Sequence, residues 1–181
     1  ENILKYYKMP GRIVFDLMKV VQRDYKLGSY KLDAVAENFI RQELTKLTVN
    51  EQTGQTVIDT KNTNGIYLDQ YIKILWDDGM TENSYKDSKK FKIKNLTKNQ
   101  ITIEGLIDGS EFMNKNFKVM WAQAKDDISP QELFALQEKT DKDRAIIAKY
   151  CVQDCALCNK LIARLQIITN SIGMAIVCNV P

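Results

Sequence analysis

The chain has 181 residues, 44% of them hydrophobic and 27% charged, with a net charge of +3. That is enough for one domain with a real core, or one domain carrying a large insertion, and too mild a charge to argue nucleic-acid binding by itself. Histidine is absent, which excludes His-based triads, His-ligated zinc and imidazole bases. Any hydrolytic chemistry must therefore use carboxylates, Tyr, Lys or thiols.

Residues 11–16 (GRIVFD) alternate enough for a short strand, with Ile13 and Phe15 on one side. Leu17, Val20, Val21 and Tyr25 then switch to helical spacing. After a loop at Leu27 and Gly28, Ser29 is placed to cap a helix carrying Leu32, Val35, Ala36, Phe39 and Ile40. From residue 48 to residue 120 short β-prone runs are broken at Asn64-Gly65, Asp78-Gly79 and Asp108-Gly109. Residues 91–93 and 101–103 flank a polar turn at Lys98-Asn99, the pattern of a hairpin. This middle reads as a β-rich module inserted into a helical frame. Its many Lys and Asn residues are either a solvated surface or a DNA contact. The frame resumes at Ser129-Pro130-Gln131-Glu132, with Ser at the N-cap, Pro at the first helical position and Glu at the third. Residues 140–143 (TDKD) begin the next, long helix in the same way, and it reaches Leu165 or beyond. The expected organisation is thus frame over 1–47, module over 48–120 and frame again over 121–181. No signal peptide or membrane span is visible, and the start without Met fits a segment of a longer protein.

The chemistry concentrates on that long helix. Ile147, Tyr150, Cys151, Asp154, Cys158, Leu161 and Leu165 fall on one face at steps of three and four. A carboxylate in such a stripe must be paired, protonated or bound to a cation, because desolvating it alone is costly. Tyr150 lies one turn before Asp154, close enough to share a site. This pair suits metal-dependent phosphodiester hydrolysis, the Asp binding a divalent cation and the Tyr hydroxyl orienting a water. Further acids must come from elsewhere; Asp16 is a candidate on position, with a helix cap or a surface place as its other reading. Cys151, Cys155, Cys158 and Cys178 could form a metal or redox site or simply be small apolar residues on a helix.

Residues 150–161 (YCVQDCALCNKL) resemble the third exonuclease motif, Tyr-x-x-x-Asp, of family B DNA polymerases of the delta type. Residues 11–40 and the ending IGMAIVCNVP are similar to flanking blocks of that family in the same order, and the stretch AKDDISPQELFALQ and the Lys- and Asn-rich insertion are closest to its giant-virus, mimivirus-like branch. The resemblance implies an α/β, ribonuclease-H-like exonuclease fold (mostly helical in this chain) whose mixed sheet carries acids for two metal ions, Mg²⁺ or Mn²⁺. It makes Tyr150 the water-orienting tyrosine and Asp154 a metal ligand. Lys125, in a Lys-x-x-Ile pattern, becomes a phosphate contact, against the alternative of a solvated loop lysine. Tyr30 and Tyr150 are candidates for stacking on a single-stranded primer, with Tyr30 equally readable as half-buried beside its helix. Implied partners are template–primer DNA, deoxynucleotides in the full enzyme and a sliding clamp, with no membrane; the implied place is a viral replication site in the host cytoplasm or nucleus. The family's first two exonuclease motifs and its palm motifs are not in the chain, so the chain alone is expected not to cleave DNA. The alternatives are a non-catalytic DNA- or protein-binding module and a stand-alone exonuclease of the proofreading-subunit type.

Overall fold

The computed structural model describes residues 9–113, 117–125 and 128–180. Two short helices come first, α1 (Leu17–Asp24) and α2 (Leu32–Phe39). Seven strands follow: β1 (Arg41–Asn50), β2 (Gln55–Thr60), β3 (Tyr71–Asp77), β4 (Glu82–Ser84), β5 (Phe91–Leu96), β6 (Gln100–Glu104) and β7 (Lys118–Ala124). Three helices end the chain, α3 (Pro130–Gln137), α4 (Asp141–Arg164) and α5 (Ile167–Cys178). Every strand pairing among the described residues is antiparallel. The order β3-β5-β6-β2-β1-β7 returns to β3, so six strands close into a barrel, and β4 adds to the far end of β3. The corner is made by β1, whose residues 41–43 pair with β7 and whose remainder pairs with β2 through an irregularity between Leu44 and Lys46. Such a bulge bends one strand across two sheets.

The barrel follows from period-two patterning. Ile58, Ile72, Ile74, Ile93, Ile101 and Ile103 are fully buried inside it, each contributing roughly 1.5–3 kcal/mol relative to exposure. Trp76 stacks on Phe112 at 5.2 Å between ring centroids, and Tyr85 meets Phe112 edge-on at 5.8 Å. Inside the barrel Trp121 Nε1 donates to Thr60 Oγ1 at 2.9 Å, and that hydroxyl donates to Glu43 O at 2.8 Å. Against this barrel lies the helical frame. Glu37 on α2 pairs with Lys73 on β3 at 2.8 Å, and Leu157 and Leu161 of α4 share a buried cluster with Val21, Val35 and Ala36. From α4, Lys160 Nζ donates to Gly65 O at 2.9 Å and Arg164 Nε to Phe39 O at 3.2 Å.

Several expectations change. Residues 11–16 form no strand, because no described strand lies beside them and alternation without a partner cannot hold a ladder. Asp16 instead N-caps α1, accepting from Met18 N–H at 3.0 Å and Lys19 N–H at 3.3 Å. Lys31, not Ser29, occupies the N-cap of α2, and Ser29 Oγ accepts the Lys31 N–H at 3.4 Å. Strands begin at Arg41 and end at Ala124, so β structure extends past residues 48 and 120 at both ends. A mixed sheet is not found among the described residues; the α/β composition takes the form of an antiparallel barrel with five helices. The hairpin at residues 91–103 is present as β5 and β6, its turn closed by Thr97 N–H to Gln100 O at 2.9 Å.

Candidate active site

The residues of interest meet where α4 crosses the end of β7. A capping box starts α4: Thr140 Oγ1 accepts the Asp143 N–H while Asp143 Oδ2 takes the Thr140 N–H at 3.1 Å. The helix then turns Ile147, Tyr150, Asp154, Leu157 and Leu161 inward, while Cys151, expected in that stripe, is exposed. On the barrel side β7 ends at Ala124 and the next residue is Lys125. Its Nζ lies 2.9 Å from Asp154 Oδ2 and 4.8 Å from the centroid of the Tyr150 ring. Burial alone pushes the Lys125 ammonium down. Hydrogen bonds to Tyr150 and Asp154 and the carboxylate's charge outweigh it and hold the group above the ordinary lysine range.

The three residues singled out in the sequence, Lys125, Tyr150 and Asp154, therefore stand together at one small cavity of about 20 Å³. Gln70, Tyr71, Gln123 and Gln153 also line it. Asp126 and Asp127, between Lys125 and Ile128, lie outside the described residues. Asp16 is not part of this site, since its carboxylate caps α1. Nor is Tyr30, whose hydroxyl donates to Tyr25 O at 3.0 Å and accepts the Leu27 N–H at 3.4 Å. Cys151, Cys155 and Cys178 are exposed, and burial raises the pKa of the half-buried Cys158 thiol, which disfavours its thiolate.

A divalent cation needs several hard oxygen donors. This cavity offers one carboxylate with an ammonium already against it, and no group of three His, Cys, Asp or Glu suited to a metal exists among the described residues. The residues present therefore do not hold such an ion by themselves. What they can do is bind: Lys125 presents a cation to a phosphate, the Tyr150 hydroxyl a donor and acceptor, and Asp154 one oxygen ligand or one proton acceptor. The sequence reading missed Gln70 and Gln123. A signal for Gln123 exists in hindsight, as the one amide in a strand, KVMWAQA, whose other interior residues are apolar.

A family model described as DNA polymerase family B, exonuclease domain, matches residues 3–35. The chain is 44% identical over 181 residues to a DNA polymerase of Pyramimonas orientalis virus, covering all of this chain and 13% of that protein. It is 39% identical over 183 residues to a DNA polymerase of Phaeocystis pouchetii virus, again across the whole chain and 17% of the relative. A DNA polymerase of Acanthamoeba polyphaga mimivirus is 32% identical over 207 residues, covering 92% of this chain and 12% of the relative. The chain thus spans between 12% and 17% of the length of these relatives, and the similarity runs through the barrel as well as the helices. With the exonuclease model on its first segment and viral polymerases matching along its length, the chain is similar to the exonuclease region of family B DNA polymerases.

Proposed function

We propose that this chain forms the later part of a proofreading 3′→5′ exonuclease within a replicative DNA polymerase. The observation that carries the reading is the convergence of Lys125, Tyr150 and Asp154, from two distant parts of the chain, at one cavity. In this reading α1–α5 belong to a ribonuclease-H-like fold and the barrel is an insertion into it, which is supported by the exonuclease match before β1 and the Tyr-x-x-x-Asp motif after β7. Lys125 binds the scissile phosphate, Tyr150 holds a water by its hydroxyl, and Asp154 supplies one carboxylate. Mg²⁺ or Mn²⁺ would supply Lewis acidity there only with carboxylates from outside the described residues, and the chain alone is expected to be inactive. The polymerase would act on template–primer DNA with deoxynucleotides, and alongside a sliding clamp, at a viral replication site inside the host cell.

The test is degradation of single-stranded DNA with Mg²⁺ by this chain, by a polymerase of the relatives' length carrying it, and by that polymerase with Asp154→Ala. Only the long wild type is expected to cleave, and cleavage by the bare chain would show that the active site is elsewhere. The 2.9 Å ion pair is also what a purely structural Asp154 would show. Asp154→Leu separates the two readings: it should abolish proofreading and spare polymerisation, and parallel loss of both activities would sink the catalytic assignment.

A further inference from the structure

One buried polar atom beside the Asp154 cavity meets no donor among the described residues. Gln123 is 4% exposed, and its Oε1 has no hydrogen-bond partner among the described residues. Its backbone N–H donates to Ile40 O at 2.9 Å, and its Nε2 lies 3.5 Å from Gln70 Oε1. The orientation of the amide follows from Gln70. Gln70 Oε1 accepts the Tyr67 N–H at 3.0 Å and the Lys160 ammonium at 3.4 Å, so it is an oxygen, and the Gln123 atom turned toward it must be the nitrogen. The carbonyl end of Gln123 is therefore an acceptor without a donor, on a residue that lines the same cavity as Lys125, Tyr150 and Asp154.

Buried amides are nearly always paired at both ends, and an apolar residue of similar shape would be more stable here. A cavity of about 20 Å³ has room for one water-sized group, which needs two to four polar partners. This cavity offers them. A water in it can donate to Gln123 Oε1 and to the Asp154 carboxylate while accepting from the Tyr150 hydroxyl, which fixes the direction of its remaining lone pair. We propose that Gln123, a residue of the barrel, is a positioning residue of the exonuclease site that holds this water. The barrel thereby becomes part of the site's wall. This rests on the exonuclease reading above and adds to it a residue outside the Tyr-x-x-x-Asp motif.

The experiment compares Gln123→Met, which keeps the volume and removes the acceptor, with Gln123→Glu, which keeps an oxygen. Both are made in the polymerase of the relatives' length, with Asp154→Ala as reference. Single-stranded DNA degradation is resolved into kcat and KM, and polymerisation serves as the folding control. The Met variant is expected to lose about tenfold or more in kcat, with KM and polymerisation unchanged, and the Glu variant to recover part of that loss. An unchanged kcat in the Met variant, a parallel fall in polymerisation, or a Glu variant as impaired as Met would each overturn the role of Gln123. Undiminished degradation by Asp154→Ala would instead overturn the reading on which it rests.

Discussion

Lys125 and Asp154 face each other across the seam between barrel and helix, with side chains only 21% and 28% exposed. Attraction at that depth exceeds that of a surface pair, and removing one partner strands the other's charge. Asp154→Asn keeps the shape and removes the charge, so urea unfolding should show a loss of roughly 1–2 kcal/mol. Because the folded Lys125 value is raised, the contribution of its ammonium is complete at neutral pH and is lost as pH climbs through that raised value, above about 10.4. Lys160 behaves in the opposite sense. Burial lowers it to about 8, so the folded state binds fewer protons than the unfolded one between about 8 and 10.4, and its penalty fades as pH rises through that window. Wild type should therefore gain stability relative to Lys160→Met between those limits, as read by unfolding midpoints; a flat difference would mean that the ammonium is solvated. Asp154 is legible in the sequence because an acid interrupts an apolar stripe. Lys160 and Gln123 are not, since a lysine on a helix and an amide in a strand become unusual only once the loop at Gly65 and the cavity are placed against them.

At the level of elements, local signals locate the starts of α3 and α4 and miss other features for a physical reason. Both capping boxes are written within four residues, Ser129 to Glu132 and Thr140 to Asp143, and both form. Thr140→Ala should therefore destabilise α4 by about 1 kcal/mol, visible as a lower urea midpoint with unchanged slope. The short strands and their turns are legible for the same reason. Their closure is not, because β1 meets β7 across some eighty residues and no local pattern records which strand lies beside which. Residues 11–16 show the converse failure: they alternate like a strand, yet no strand among the described residues pairs with them. The approach of helix and barrel also depends on one glycine. Gly65 has φ near +93°, and a Cβ there would sit 3.0 Å from Ile40 Cγ2, beside the carbonyl that takes the Lys160 ammonium. Gly65→Ala should then cost roughly 1–3 kcal/mol, more than Gly54→Ala, where φ is also positive but the space is open.

For the molecule as a whole, part of a mixed sheet standing alone would leave both an apolar face and an unpaired edge, and in this chain the two separate. The barrel closes, so among the described residues only the three-residue β4 is paired on one side alone. The apolar face is present. Ile13, Val14, Phe15 and Met18 are exposed at the start, and on α5 Ile168, Ile172 and Ile176 recur at four-residue steps, all exposed. The side of α5 about 100° round from that row, with Ile167 buried and Ser171 and Ala175 half-buried, is the side that meets the rest of the chain. A helix whose apolar surface continues well past its covered side normally packs against a further partner. Association of the isolated chain should accordingly run through α5 and not through a strand edge. Sedimentation velocity over rising concentration should show self-association that Ile172→Lys combined with Ile176→Glu suppresses, with unfolding stability changed by no more than about 0.5 kcal/mol, as for surface substitutions. Asn83→Lys on the β4 edge should leave association untouched. The reverse outcome, with the β4 variant dispersing the oligomers and the α5 variant not, would place the contact at the barrel and remove the reason for assigning α5 a covered position in the polymerase.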